Sequence, residues 1–199
     1  MQTVYEAAGG DEGLLRLASA WHARVLDDEV VNHAFSHGFH AQHCERLAAY
    51  WAEAQVRSFI NSFDPKHQKL FRSVRTAVRK RFPTANELAY EYNHSVVIAY
   101  SPSDRGTEST VSIALRADGV SLYLMNGPQL PDPKGLLLGS GKQVRFVRVE
   151  SARQLAHPDV EALIAAAIDR SSVPMLSKGR GKLILRGPAA KQQTRRTAA

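Results

Sequence analysis

A chain of 199 residues with 44% hydrophobic and 23% charged residues can bury one sizeable core, with or without an appendage. Its one cysteine, Cys44, excludes an internal disulfide and a multi-cysteine zinc centre. No apolar run approaches the ~20 residues that span a bilayer, and Met1–Glu6 lacks the basic start and apolar stretch of a secretory signal, so the expectation is a soluble cytoplasmic protein with no membrane partner.

The formal charge of +7 is unevenly placed. Residues 1–54 carry three Lys/Arg against eight Asp/Glu, whereas residues 55–199 carry 23 against 11. The seam lies close to Ala54.

In chain order, Leu14, Leu15, Leu17, Ala18, Trp21 and Val25 fall at helical spacing, with Asp11 as the expected N-cap and Asp27-Asp28 near the far end. A short segment from Glu29 to Phe35 stops around Gly38. Leu47, Ala48, Tyr50, Trp51 and Ala54 mark a second long helix, able to continue through Val56, Phe59 and Ile60. Asp64-Pro65 opens a further helix, with proline suited to its first position. Leu70, Phe71, Val74 and Val78 form its apolar stripe, and Pro83 ends it. Lys66, Lys69, Arg72, Arg75, Arg79, Lys80 and Arg81 lie on this helix, with no acid between Pro65 and Ala85.

The period then changes to two. Leu88–Tyr92, Val96–Tyr100, Thr110–Leu115, Val120–Met125 and Val144–Val149 read as strands bounded by turn residues. Asp159–Asp169 reads as a helix and Lys182–Leu185 as a last strand, while the polar, basic stretch 187–199 is expected to be disordered. Strands with helices before and after predict an α+β sandwich with an antiparallel-rich sheet, not a wound parallel one.

Four histidines, His33, His37, His40 and His43, lie within eleven residues. Neither a carboxylate nor a cysteine completes an obvious metal site around them. Gly139-Ser140-Gly141-Lys142, with Arg145 beyond, suggests an anion nest of backbone N–H groups supplemented by two cations, or else a plain glycine turn. It is not a nucleotide-hydrolase phosphate loop: Leu136 stands where glycine is needed and Gln143 where Ser or Thr is needed. Glu87 and Glu91 with His94 are the one close group of oxygen and nitrogen ligands. Lys66, Lys69, Arg72, Arg75 and Arg79, together with the acid-free stretch from Lys178, offer nonspecific phosphate contacts, without a recognised nucleic-acid-binding motif. No GxSxG, HExxH or Ser–His–Asp order points to an enzyme.

Two family resemblances lie on either side of the seam. Tyr5-Glu6-Ala7-Ala8-Gly9-Gly10, Trp21-His22-Ala23-Arg24-Val25-Leu26, His33-Ala34-Phe35-Ser36-His37-Gly38-Phe39 and Glu45–Trp51 resemble the first half of a truncated bacterial globin, over residues 4–54. In that family these segments form the early helices and the distal wall of a haem pocket. The portion that carries the proximal histidine has no counterpart here, so haem is not the expected cofactor. Phe63-Asp64-Pro65-Lys66, Pro83–Leu88, Tyr100-Ser101-Pro102, Ser112–Leu115 and above all Leu130–Arg145 resemble the YdhG-like family, over residues 56–186. That resemblance implies a compact α/β sandwich of the frataxin-like kind. Some members are described as iron chaperones, which implies iron as a ligand, although the acids here are scattered through a basic domain.

The expected organisation is therefore a globin-like helical fragment over 1–54, a YdhG-like domain over 55–186 and a basic tail over 187–199, joined as a fusion. The expected function is non-catalytic binding of a small anionic ligand or a metal. Sequence-tolerant nucleic-acid binding is the first alternative and a relict haem protein the second. Leu14, Leu17, Trp21, Phe35 and Trp51 need cover, either from the second domain or from another copy in a homodimer.

Overall fold

The computed structural model describes residues 4–33, 38 and 40–186. Phe35, His37 and the stretch 187–199 lie outside the described residues.

Four helices open the chain: α1 (Val4–Ala8), α2 (Gly10–Asp27), α3 (Glu29–His33) and α4 (His43–Asn61). The cap of α2 is Gly9, in the left-handed region at φ 90°, and Asp11 sits in the first turn, where its charge favours the positive end of the helix dipole. Asp28 instead starts α3, its Oδ1 accepting from the backbone N–H groups of Val30 and Val31 at 3.0 Å. Helix α5 (Pro65–Arg81) begins as the sequence predicts, with Pro65 in its first turn and the Asp64 side chain accepting from the Lys66 N–H at 2.8 Å.

Strands β1 (Asn86–Tyr92), β2 (Ser95–Ser101), β3 (Val111–Arg116), β4 (Gly119–Met125) and β5 (Val144–Val149) form an antiparallel meander. After α6 (Pro158–Asp169) the chain returns to the far edge, where β6 (Leu183–Arg186) pairs parallel with β1. The sheet order is β5-β4-β3-β2-β1-β6. The fold is thus helices plus a mixed six-stranded sheet, of the general α+β class.

Strand alternation turns Ala89, Ile98, Ile113, Leu122 and Val147 to one face of the sheet, and these join the main core. Phe71, Val74 and Val78 of α5 and Val160, Leu163 and Ile164 of α6 pack in that same core. Helix α4 packs against α5 and the β6 edge, and α2 lies on α4. The core does not stop at the charge seam: α4 passes through Ala54 without interruption, and Leu14 and Ala52 belong to the same cluster as the sheet residues. Trp51 is half-buried against that cluster, while Leu17 and Trp21 stay 46% and 40% exposed. No described helix is long and apolar enough to cross a membrane.

Candidate functional site

The basic helix α5 is amphipathic in charge as well as in hydropathy. Lys66, Lys69, Arg72 and Lys80 lie exposed, and Arg72 donates to the Asn61 side-chain oxygen at 2.6 Å. Arg75 and Arg79, one turn apart, flank the apolar stripe and face inward. Arg75 donates to both oxygens of Glu53 (2.9 and 3.0 Å) and to both of Glu87 (3.0 and 2.8 Å). Arg79 Nη1 lies 3.1 Å from Glu53 and 3.3 Å from Glu87. Glu87 is 1% exposed and stands directly opposite Tyr100 in the β1–β2 ladder, and the Tyr100 hydroxyl donates to it at 3.1 Å. Burial, and after it the charge of Glu87, push the Tyr100 phenol well above its ordinary range, so it remains a donor.

This tetrad of two arginines and two glutamates is neutral and shared by α4, α5 and β1. It employs three residues that the sequence offered for other purposes. Arg75 and Arg79 are committed to carboxylates and not to phosphates. Glu87, offered as a metal ligand, faces two guanidinium groups. Glu91 follows two positions on and His94 lies exposed in the β1–β2 turn. Among the described residues no group of three His, Cys, Asp or Glu side chains could hold a metal ion.

The loop Gly139–Lys142 lies exposed beside the β5 edge. The Arg145 guanidinium donates back to the carbonyls of Gly141 and Val144, the latter at 3.3 Å, and Leu138 bridges to Phe146. Gly139 has φ +98°, and a Cβ there would sit 3.2 Å from the Phe146 ring, so its glycine is explained by the turn. Arg145 thus staples the loop, and the loop and Lys142 remain at the surface.

A groove of about 710 Å³ opens between α2, α4 and the β6 edge, with Glu53 and Arg79 of the tetrad in its lining. Leu14, Ala48, Ala52 and Leu183 supply apolar lining, and Arg46, Arg79, Arg180 and Lys182 supply cations. Glu53 is already neutralised by Arg75 and Arg79, which leaves Asp11 and Glu45 as the opposing carboxylates. Burial raises the Asp11 carboxyl above its ordinary range, against the hydrogen bond from Tyr5 and the charges of Arg186 and Lys182. Burial and the Asp11 charge in turn push the Tyr5 phenol up to about 12. A smaller apolar cavity of about 300 Å³, lined by Tyr5, Leu17, Trp51 and Leu185 among others, adjoins it through Leu14. No histidine lines either space. His43 instead stacks near Trp21, with ring centroids 6.0 Å apart, and lies 5.2 Å from the His22 ring.

Nothing in the sequence pattern joined Asp11, Arg46, Arg79 and Arg180, which come from four separate segments. The one local signal was the inward alternation of Glu87 and Ala89, which puts an acid on the helix-facing side of a buried strand. No protein-family model matches the chain, and no curated protein or solved structure matches it either.

Proposed function

We propose that the protein is a non-catalytic binding protein for a small anionic ligand with an apolar body, held in the groove between α2, α4 and β6. The observation that carries this reading is the pairing of apolar lining with Arg46, Arg180 and Lys182 in a space of about 710 Å³. That volume lies within the range of small-ligand sites, in which a largely apolar wall supplies affinity and a few polar groups fix orientation. The tetrad behind the groove holds Arg79 in place and leaves no guanidinium there without a counter-charge. The resemblance of residues 56–186 to the YdhG-like family is in keeping with a binding role in a sandwich-like α+β fold. The metal form of this reading has less support, since the described donors do not converge.

Thermal unfolding of the full chain with octanoate, and with octylamine as the charge-reversed control, tests this. The anion is expected to raise the midpoint and the amine to leave it unchanged, because a ligand that binds only the folded state stabilises it by mass action. Arg180→Ala combined with Lys182→Ala is expected to abolish the rise. An equal response to both amphiphiles, or to neither, overturns the reading. Nucleic-acid binding through α5 is the second reading, and it rests on the exposed Lys66, Lys69, Arg72 and Lys80.

A further inference from the structure

Helices α5 and α6 pack on one face of the sheet; on the other, the short turn Gly106–Glu108 lies against Tyr90. On that face β1 presents Tyr90 and Tyr92, whose rings stack with centroids 6.1 Å apart and planes 11° apart. Tyr92 is 43% exposed. Three strands away, at about 14 Å by ordinary strand spacing, β4 and β5 present Tyr123 and Phe146 as a tilted pair 5.2 Å apart. Val97 and the small residues Ala99, Ala114 and Ser121 make the floor between the two aromatic groups, with Arg116 rising from it at one end.

The strand residues of this face contribute arginines, two of which meet aspartates at its rim. Arg116 on β3 is exposed, stands on a strand between the two aromatic groups, and places its guanidinium 5.9 Å from the Tyr123 ring centroid. Arg148 flanks it on β5, its outer nitrogen 2.8 Å from Asp118 in the β3–β4 turn. Arg186 lies opposite Tyr90 in the β1–β6 ladder, 3.5 Å from the Asp104 carboxylate, which leaves Arg116 as the arginine of this face with no ion pair among the described residues. By alternation, no strand residue on this face is an Asp or Glu.

We propose that this sheet face binds single-stranded nucleic acid, with bases stacking on Tyr92 and Tyr123 and phosphates drawn to Arg116 and its arginine neighbours. Every base offers a π-face, so aromatic platforms on a cationic surface suit an unpaired strand regardless of its order. A duplex keeps its bases stacked on one another and cannot use the rings. A neutral sugar would use the rings but gain nothing from the Arg116 charge set between them. The aromatic residues of this surface lie on the sheet face opposite the α5 core contacts, and the surface does not include the groove described above.

The test is fluorescence anisotropy of the full chain with a labelled oligouridylate of about 12 nucleotides, a length within known site sizes, and a duplex of matched length. Binding of the single strand at low salt is expected, weaker for the duplex and falling steeply as salt is added. Tyr92→Ala and Tyr123→Ala are each expected to weaken binding roughly tenfold, and Tyr92→Phe to retain it, as stacking requires. Arg116→Ala is expected to make the salt dependence shallower. An unchanged thermal midpoint separates these effects from unfolding, and Tyr92 and Arg116 are exposed enough to be replaced without opening the core. The proposal is overturned if the wild-type chain ignores the single strand at low salt or prefers the duplex. It is equally overturned if the tyrosine variants bind as wild type while Lys66→Ala with Lys69→Ala loses binding, or if a neutral polysaccharide binds the face in a salt-insensitive way.

Discussion

Arg75 satisfies two carboxylates at once, Glu53 from α4 and Glu87 from β1, and so ties three elements together at a point where the core turns polar. Removing one member of such a buried set leaves an uncompensated charge, which costs more than the intact set contributes. Glu87→Gln strands two guanidinium groups over one carboxylate, and the expected loss is about 3 kcal/mol, read as a lower urea midpoint with an unchanged slope. Glu53→Gln, at the more exposed end, is expected to cost about 1 kcal/mol. Burial opposes the charge on Glu53, but hydrogen bonds and charges from Arg75 and Arg79 outweigh it and hold the carboxyl below its usual range. A carboxyl depressed in the folded state stabilises the fold above its unfolded pKa. That stability is lost as the pH falls through the folded value. Stability is therefore expected to decline on acidification below about pH 5, with a shallower decline in Glu53→Gln, as followed by denaturation across pH. The sequence displayed Arg75 and Arg79 as part of a basic run, because spacing along a helix does not say which cations will meet a partner brought from 22 residues earlier.

At the scale of elements, β6 depends on a close approach that its sequence signals only by a glycine. Gly181 donates its N–H to the Pro83 carbonyl at 3.0 Å, and a Cβ at this position would lie 1.7 Å from the Ala85 oxygen. Gly181→Ala must therefore push the start of β6 away from β1. The expected result is a lower thermal midpoint and fast hydrogen exchange at Leu183–Arg186, with β2–β4 still protected. The antiparallel strands were legible because each is a short run rich in β-branched and aromatic residues between turn signals, and their predicted limits fall within one or two residues of those observed. That β6 would pair parallel with β1 was not legible. Its partner is the first strand, and only the return of the chain after α6 brings the two together.

For the molecule as a whole, the charge seam and the structural layout do not coincide. Helix α4 begins in the acidic stretch and ends in the basic one, and its Ala52, Val56, Phe59 and Ile60 all enter the core. Cutting the chain after Ala54 would halve that helix and remove Leu14 and Ala52 from the cluster. A fragment of residues 55–199 is expected to unfold at a lower temperature than the full chain and to bind a hydrophobic dye, whereas the intact protein melts in one transition. Two independent transitions in the full chain, the later one matching the fragment, would contradict this. The acidic character of the N-terminal helices has a local counterpart in Asp11, which meets the charges of Lys182 and Arg186 at the β6 edge.

The amino-acid sequence determined the long helices and the antiparallel strands, where α5 starts, and that a sheet follows helices, because periodicity, caps and turn residues act over a few positions; the short α1 (Val4–Ala8) gave no such signal. It did not determine which face of the sheet stays open, where β6 pairs, or which charges neutralise one another. Those depend on residues from distant segments arriving at one place, and hydrogen-bond geometry and burial exist only once they have arrived. For that reason the candidate site moved from the Gly139–Lys142 loop to a groove that no single stretch of the chain could announce.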